Sequence, residues 1–587
     1  LPFLYFQCKI YFTMTFAKLS ETIKEQHRPE DEQALITKAY EFADTAHKGQ
    51  KRKSGAPYIT HPLATALRLA EMNLDAQTIA AGLLHDVCED TDIKIDQIKK
   101  EFGDTIAFLV EGVTKLDKVH YHGNERSAES LRKMFLAIGE DIRIVLIKLV
   151  DRLHNMSTLE YLPPDKQQRI ALETLEIYAP LSYRLGIGEL KGQLEDLAFK
   201  YVYPNEYQWL TKSLSDHFEW RAQFIEQLKI KMAEELTREN IGFLDIHARA
   251  KHLYSLYRKL MKYDMDLDKV YDLLAIRIVV NTVEDCYASL GVIHKCWKPI
   301  PGLMKDYISL PKPNGYRSLH TTVFGPEGRT VEFQIRTQEM HNEAENGIAA
   351  HWSYTEKKSS TGYAKRSASF APQKELAWIE QLRDWQKDFD KPDEFLEALK
   401  IDFFKNRIFV LTPKGDAIDL PEGATPVDAA YRIHTDIGDT AVGARVNGKM
   451  VALDYILKNR EIVDIITQKN KKPNRDWLLF VKTAAARQHI SSFLKKSEQA
   501  KKFEKRKGEL VELHLSVHDR VGLLRDISSV FARQKINMKN VATESKHRAY
   551  PMLIIQTPIK SQTDLEHLLV KLKEIKGVEE ISYKLLV

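Results

Sequence analysis

Polar and apolar positions change rhythm along this chain, and the changes divide it. From about Glu32 to Asp196 apolar residues recur at helical spacing, as in Ala34–His47 and Asp141–Leu153. Short breaks at Gly49, at Gly55-Ala56-Pro57 and at Pro163-Pro164 separate the runs. Further helices are predicted around Trp209–Asn240. The rhythm then turns to β. Val270–Val280 is apolar and β-branched, with Asp272 and Arg277 inside it. Thr321–Phe324 and Val331–Ile335 flank a Gly-Pro-Glu-Gly turn, so a mixed α/β region is expected from about Phe243 to Tyr354. Lys357–Gln373, rich in Ser, Lys and Gly, reads as a linker, and Lys374–Leu399 as a helical hairpin. Arg407–Thr467 is strand-rich, with turn signals at Pro413-Lys414-Gly415 and Asn447-Gly448. Lys495–Lys507 reads as a basic helical connector. Glu509–Val587 reads strand, helix, two strands, helix, strand, a ferredoxin-like order.

Composition narrows the class without naming it. A chain of 587 residues is too long for one core. Its net charge of +5 is small for that length, so no global basic field marks a dedicated nucleic-acid binder. The four cysteines, Cys8, Cys88, Cys286 and Cys296, are scattered without a CxxC, which fits a reducing compartment and excludes a thiolate zinc site. No apolar run is long enough to span a bilayer. The apolar start, Leu1–Phe12, lacks a basic segment and a cleavage site, and Met14 is a candidate start. The chain reads as cytoplasmic, with no membrane partner.

Candidate chemistry begins in Leu83-Leu84-His85-Asp86-Val87-Cys88-Glu89-Asp90, read as one helix. At that spacing His85 lies over Glu89 and Asp86 over Asp90. Three gathered carboxyls need a compensating cation or a solvated helix end; a His-Asp pair after an apolar run favours a metal. Two more ligands are at hand. His61 sits at a helix start, with Thr60 as N-cap and Pro62 in the first turn. Asp151 interrupts an apolar helix, where a carboxylate needs a partner, if only Arg152. Two imidazoles and two carboxylates suit Mn²⁺ or a similar ion. Such an ion activates water against a phosphorus centre, with Glu89 and Asp90 placed to position or deprotonate that water. Lys51-Arg52-Lys53-Ser54 is either a phosphate grip or a solvated basic turn.

A second cluster lies downstream. Arg249 or Lys251, Ser255 and Lys259 are expected on related faces of a helix start, a stripe that suits a triphosphate or an ordinary basic surface. Asp272, inside an apolar strand, calls for Mg²⁺ or for Arg277. Lys305–His320 surrounds a Pro-Asn-Gly turn with cations, an aromatic and a His, a set able to stack a base and bind phosphate. Glu332, Gln334 and Arg336 share one strand face, which fits a general base beside a charge stabiliser and equally a solvent-exposed face.

The motifs YITHP, LLHDVCEDT, VDRLHNM, RAKHLYSLYRK, DLLAIRIVV, KDYISLPKPNGYRSLHT, VEFQIRT and AENGIAAHW resemble, in order, those of the long RelA/SpoT homologues. These are bifunctional (p)ppGpp synthetase/hydrolases. The resemblance implies a multidomain fold class: an all-α HD domain over 31–200, an α/β nucleotidyltransferase-like synthetase domain over 201–355, a small β-rich TGS domain over 401–467 and a ferredoxin-like ACT domain over 508–587. Residues 1–30 would be an N-terminal extension, 356–400 a linker with helices and 468–507 a short connector. It implies Mn²⁺ at His61, His85, Asp86 and Asp151, with Glu89 and Asp90 removing the 3′-pyrophosphate. Arg52, Ser54, Asn155 and Thr158 match positions near that nucleotide. Arg249, Lys251 and Lys259 match ATP-phosphate contacts, Asp272 a Mg²⁺ ligand and Tyr316 a tyrosine stacked on guanine. Lys305, Lys312, Asn314 and His320 match neighbouring contacts. Glu332 resembles the base that activates the 3′-OH of GDP or GTP. His434 matches a histidine near a tRNA 3′ end, or is a hydrogen-bonded turn residue. Asp519–Leu524 matches the ACT ligand turn, or is a packing turn in an oligomer. Uncharged tRNA, the ribosome, a small ACT ligand and a second copy are the implied partners. The chain departs from the long members between Thr483 and Glu509, where their zinc-finger-like region has no counterpart. Two other functions stay open: a hydrolase whose second half only binds nucleotide, and an RNA-binding regulator.

Overall fold

The computed structural model describes residues 15–117, 134, 137, 140–267, 270, 274–312, 314–350, 407–505, 510–544, 551–559 and 562–585. Asp272 and the linker and hairpin expected over 356–400 lie outside the described residues. Two compact units divide the chain, Leu1–Phe404 and Lys405–Val587.

The first unit opens with a helical module. Asp75 caps the Ala76–Leu84 helix by accepting from the Thr78 amide, and Asp141 caps Ile142–Ser157 by accepting from Arg143. Beyond their caps both helices are apolar and deeply buried. They pack with Thr60–Glu71 and Gly188–Val202 around one core that includes Leu69, Leu83, Ile147 and Leu194. The 83–90 helix is broken. Ala76–Leu84 stops, His85 and Asp86 form a turn, and Val87–Asp90 resumes. The His85 ring nitrogen Nδ1 takes the Gly82 carbonyl at 2.8 Å, the group an unbroken helix would give to the Asp86 amide. Thr60 is not an N-cap either: its hydroxyl donates to the Pro57 carbonyl, and Ile59 stands at the cap. The helices expected around 209–240 are one helix, Pro204–Arg238.

A mixed sheet follows. Its strands are β1 (Phe243–Ala250), β2 (Leu274–Val280), β3 (Lys298–Pro299), β4 (Lys305–Asp306), β5 (Leu319–Phe324) and β6 (Thr330–Thr337). The order is β1-β2-β6-β5-β3, with β4 also on β5. Only β2 and β6 run parallel in this sheet. The register settles what each face carries, because side chains alternate. Ile276, Ile278, Phe333 and Ile335 point into a core against the Pro204–Arg238 and Val283–Cys296 helices. Burying each such side chain is worth about 1.5–3 kcal/mol. The other face aligns His247 and Arg249 on β1, Arg277 on β2, Glu332, Gln334 and Arg336 on β6, and His320 on β5.

The strand β6 runs into the Gln338–Asn346 helix, which ends at Gly347. Gly347 has φ 54°, and a Cβ there would stand 2.3 Å from the Leu185 carbonyl oxygen. The close approach lets Ile348 donate to that oxygen and brings Ile348 and Ala349 into the helical core.

In the second unit, β7 (Arg407–Leu411) and β8 (Ala417–Pro421) form a hairpin, and β9 (Ala441–Val446), β10 (Lys449–Val451) and β11 (Val463–Thr467) form a sheet. Asn447 and Gly448, both at positive φ, make the β9–β10 turn. The basic connector is the second half of the Ala484–Lys505 helix. The last module has β12 (Leu510–Val517), β13 (Asn540–Glu544), β14 (Met552–Pro558) and β15 (Val578–Leu585) in the order β13-β14-β12-β15. That is the ferredoxin-like arrangement. No helix among the described residues is long and apolar enough to cross a membrane.

Two candidate active sites

The first site is built where the broken helix meets Ile142–Ser157. His61, His85 and Asp86 offer ligand atoms that all lie within 4.8 Å of one another. His61 Nε2 is 3.2 Å from Asp86 Oδ2 and 3.1 Å from Asp151 Oδ1, and His85 Nε2 is 3.1 Å from Asp86 Oδ1. Asp151 stands slightly back, 3.8 Å from His85 Nε2. Its other oxygen accepts from the buried Lys148 at 2.7 Å, and Asn155 donates to Oδ1 at 2.6 Å.

Electrostatics favour a cation here. Burial works against a charge on His85, yet Asp86 and Asp151 outweigh it and lift the imidazole to about 9. Burial likewise opposes ionisation of Asp86 and Asp151. His85 and His61 nevertheless hold Asp86 below the usual carboxylate range, and Lys148 with both histidines does the same for Asp151. His85 Nδ1 is committed to the Gly82 carbonyl, and its Nε2 is buried without an aligned hydrogen bond. A lone pair on that atom would face two carboxylates, so the atom takes either a second proton or a cation. The set of two imidazoles and carboxylates fits a divalent ion.

A cavity of about 400 Å³ adjoins this centre, and Arg52, Ser54, Asn155 and Thr158 all line it. Arg52 Nη2 reaches Asn155 Oδ1 at 3.2 Å. Glu89 and Asp90 are exposed and line a separate depression with Gln50 and Asp92. Tyr58 joins the two: it lines the first cavity, and its hydroxyl touches Asp86 Oδ2 at 3.0 Å and Asp90 Oδ2. Tyr58, Lys148 and His154, whose Nδ1 meets His61 Nδ1 at 2.7 Å, escaped the sequence reading. Burial and His61 push His154 down to about 3, so it stays neutral beside its neighbour. The sequence held a signal for two of them: Tyr58 stands three before His61, and His154 three after Asp151.

The second site covers the polar face of the first unit's sheet. Arg249, Lys251, Ser255, Lys305, Lys312, Asn314, Tyr316, His320, Glu332, Gln334 and Arg336 line one cavity of about 310 Å³. Lys259 is not among the lining residues. The basic stripe is not helical as expected: Arg249 lies on β1 and Lys251 in the following loop, while Ser255 and Lys259 lie on the Leu253–Leu260 helix. The described span of the strand bearing Arg277 is Leu274–Val280. Nor is the Glu332 face an ordinary solvent face, since Gln334 and Arg336 are buried.

Within this cavity His320 Nδ1 meets Glu332 Oε1 at 2.6 Å, and its Nε2 meets the Tyr316 hydroxyl at 2.8 Å. Burial holds His320 below its ordinary range against the pull of Glu332. A neutral ring therefore donates from Nδ1 to the carboxylate and accepts from the tyrosine. Lys312 lies 4.6 Å from the ring centroids of both Tyr307 and Tyr316. Burial, then Lys305 and Arg249, push its ammonium down to about 8. Arg277 and Arg336 both donate to Glu345 Oε1, at 3.0 and 2.8 Å. Neither Arg277 nor Glu345 was singled out as a ligand contact from the sequence. In the second unit His434 is exposed, and its Nδ1 accepts from the Asp436 amide at the start of a short helix, the turn role of its two readings.

Four family models match the chain in order: an HD domain over 39–188, the region found in RelA/SpoT proteins over 248–359, a TGS domain over 408–467 and an ACT domain over 508–582. A GTP pyrophosphokinase of Streptomyces coelicolor is 46% identical over 488 residues, 81% of this chain and 57% of its own length. The bifunctional (p)ppGpp synthase/hydrolase RelA of Mycobacterium tuberculosis is 44% identical over 478 residues, 81% of this chain and 64% of its own. A guanosine-3′,5′-bis(diphosphate) 3′-pyrophosphohydrolase of Aquifex aeolicus is 46% identical over 496 residues, 84% of this chain and 69% of its own. The chain thus spans a little over half to two thirds of the length of these relatives. In sequence and in module order, the chain belongs to the RelA/SpoT family.

Proposed function

We propose that the chain is a bifunctional alarmone enzyme that makes (p)ppGpp from ATP and GDP or GTP and hydrolyses it again. The single observation that carries this reading is the coexistence, in one unit, of the His61–His85–Asp86 centre beside a basic cavity and the Glu332–His320–Tyr316 chain in a second basic cavity.

In synthesis, Glu332 takes the proton of the ribose 3′-OH while His320 steadies the carboxylate. The 3′-oxygen bonds to the β-phosphorus of ATP, the bond from that phosphorus to the bridging oxygen breaks, and AMP leaves. Arg249 and Lys251 hold the ATP phosphates, with Ser255 beside them, and Lys259, one turn on from Ser255 and outside the cavity lining, would have to reach in to join them. Tyr316 stacks the guanine, and Lys305, Lys312, Asn314, Gln334 and Arg336 complete the nucleotide contacts. Mg²⁺, held in part by Asp272, would neutralise phosphate charge.

In hydrolysis, Arg52, Ser54, Asn155 and Thr158 hold the nucleotide. Asp90 and Glu89 position a water and take its proton; the water oxygen bonds to the 3′-phosphorus, the bond from that phosphorus to the 3′-oxygen breaks, pyrophosphate leaves and the proton passes to the 3′-oxygen. Mn²⁺ held by His61, His85, Asp86 and Asp151 would supply Lewis acidity. Such nucleotides are soluble, which fits a cytoplasmic enzyme. The TGS and ACT modules are proposed as contacts for uncharged tRNA, the ribosome, a small ligand or a second copy, with His434 as an RNA contact.

The test pairs two substitutions. Glu332→Gln should abolish synthesis and spare Mn²⁺-dependent hydrolysis, and Asp90→Asn should do the reverse. If each substitution kills both activities, the two-site assignment is wrong.

A further inference from the structure

The polar face of the sheet has two ends. Tyr316, His320, Lys305 and Lys312 gather over β5 and β4, and Glu332 sits between them and the β1–β2 end. At that far end stand Arg249, Arg277 and Glu345. Two buried guanidiniums meet there on a single carboxylate oxygen: Glu345 Oε1 accepts from Arg277 Nη1 at 3.0 Å and from Arg336 Nη2 at 2.8 Å. Arg336 is fully buried, and Arg277 nearly so.

A pair built for stability alone would satisfy its donors. This one does not. Arg336 Nη2 also donates to His341 Nδ1 at 2.8 Å, but among the described residues Arg277 Nε and Nη2, and Arg336 Nε and Nη1, are buried without a hydrogen-bond partner, and both side chains line the cavity. One carboxylate also cannot neutralise two cations. The residue of positive charge, with the unused N–H groups, suits an anionic ligand rich in acceptors. Glu345 comes from the helix after β6, so the bridge joins β2, β6 and that helix at one point.

We propose that Glu345 is a positioning residue of the synthetase site: it ties Arg277 to Arg336 and so fixes both guanidiniums in the wall of the cavity that takes ATP over β1 and β2. The proposal rests on the synthetase reading above. Like charge between Arg277, Arg336 and Arg249 would otherwise push the guanidiniums apart, and burial with these arginine neighbours brings Arg277 down to about 10.

The test is calorimetric titration of the full chain with ATP and Mg²⁺, and separately with GDP, for wild type and Glu345→Gln. Removing a charge-assisted contact should weaken ATP binding about tenfold and leave GDP binding unchanged. Thermal unfolding and 3′-pyrophosphate hydrolysis should match wild type. Unchanged ATP affinity overturns the proposal, as does equal loss of ATP and GDP with a fallen unfolding temperature, which is a packing defect. If Glu345→Gln does not fold, Glu345→Asp reads the same contact with the charge kept and the reach shortened. Weaker ATP with unchanged GDP then supports the role, and unchanged ATP overturns it. A wild-type chain that binds ATP but transfers no pyrophosphate defeats the synthetase reading alone, and the ATP comparison still decides Glu345.

Discussion

One hydroxyl links the His61–His85–Asp86 cluster of the first site to its exposed acidic pair. Tyr58 touches both Asp86 and Asp90, while its ring stacks on His47 at 4.6 Å and carries Arg52 at 5.3 Å. Burial, then Asp86 and Asp90, push its ionisation far above the ordinary range, so it acts as a fixed donor and not as a base. Without it, nothing named at the site would tie the exposed Asp90 side chain to the buried centre. Tyr58→Phe keeps the ring and removes the tie. Hydrolysis should fall about 10–100-fold, the usual cost of losing an outer hydrogen-bond partner of a ligating group, while synthesis is unchanged. Equal hydrolysis rates for Tyr58→Phe and wild type would show that Asp90 finds its place unaided. The residue scale also shows why some of the site was legible and some was not. His61, His85, Asp86 and Asp151 declare themselves by type and by interrupting apolar runs. Lys148 looks like any helix lysine until tertiary packing buries it against Asp151.

At the scale of elements, the Gly188–Val202 helix serves the modules of both candidate sites. Leu190, Leu194 and Ala198 pack in the helical core. Its other face holds the loop that carries Lys251. Asp196 accepts from His252 Nδ1 at 2.8 Å and from the Tyr254 amide at 3.0 Å, and Glu189 lies 3.6 Å from His252 Nε2. Gly192 makes room, since a Cβ there would stand 2.2 Å from the His252 ring. Burial disfavours charge on His252, but Asp196 and Glu189 outweigh it and raise the imidazole to about 9. A pKa raised from 6.5 in the unfolded chain gives stability that is complete below 6.5 and lost as pH rises through about 9. The first unit should therefore lose thermal stability between pH 7 and 9, and His252→Gln should flatten that decline. Identical pH profiles of the unfolding temperature would remove the triad from the account. Helical and β rhythm marked these elements well, but not their ends. Arg249 reads as helix because its neighbours Leu253–Leu260 are helical, yet strand pairing with Ala275 claims it. The break at His85 was hidden for the opposite reason: its sequence is helical throughout, and a side chain takes the carbonyl.

Over the whole molecule, the question is which parts the chemistry needs. Both candidate sites lie within Leu1–Phe404. The cores that position them, around Leu83, Ile335 and Phe199, draw all their residues from that unit. The cores of Lys405–Val587, around Val410, Trp477 and Leu513, likewise draw only on their own. Units with self-contained cores fold separately. A chain ending at Phe404 should then fold, make 3′-pyrophosphorylated nucleotide from ATP and GDP, and hydrolyse it with Mn²⁺. On the proposed bifunctional reading, two opposed reactions on one unit would consume ATP to no effect if both ran freely, so a signal must set their balance. On that reading the TGS and ACT modules are the parts left for the task. The expected outcome is specific: truncation at Phe404 preserves both activities and changes the ratio of synthesis to hydrolysis. Assays of both reactions on the full and shortened chains decide it. A shortened chain that is folded by circular dichroism yet lacks either reaction would show that the second unit takes part in the chemistry itself, and an unchanged ratio would remove it from control.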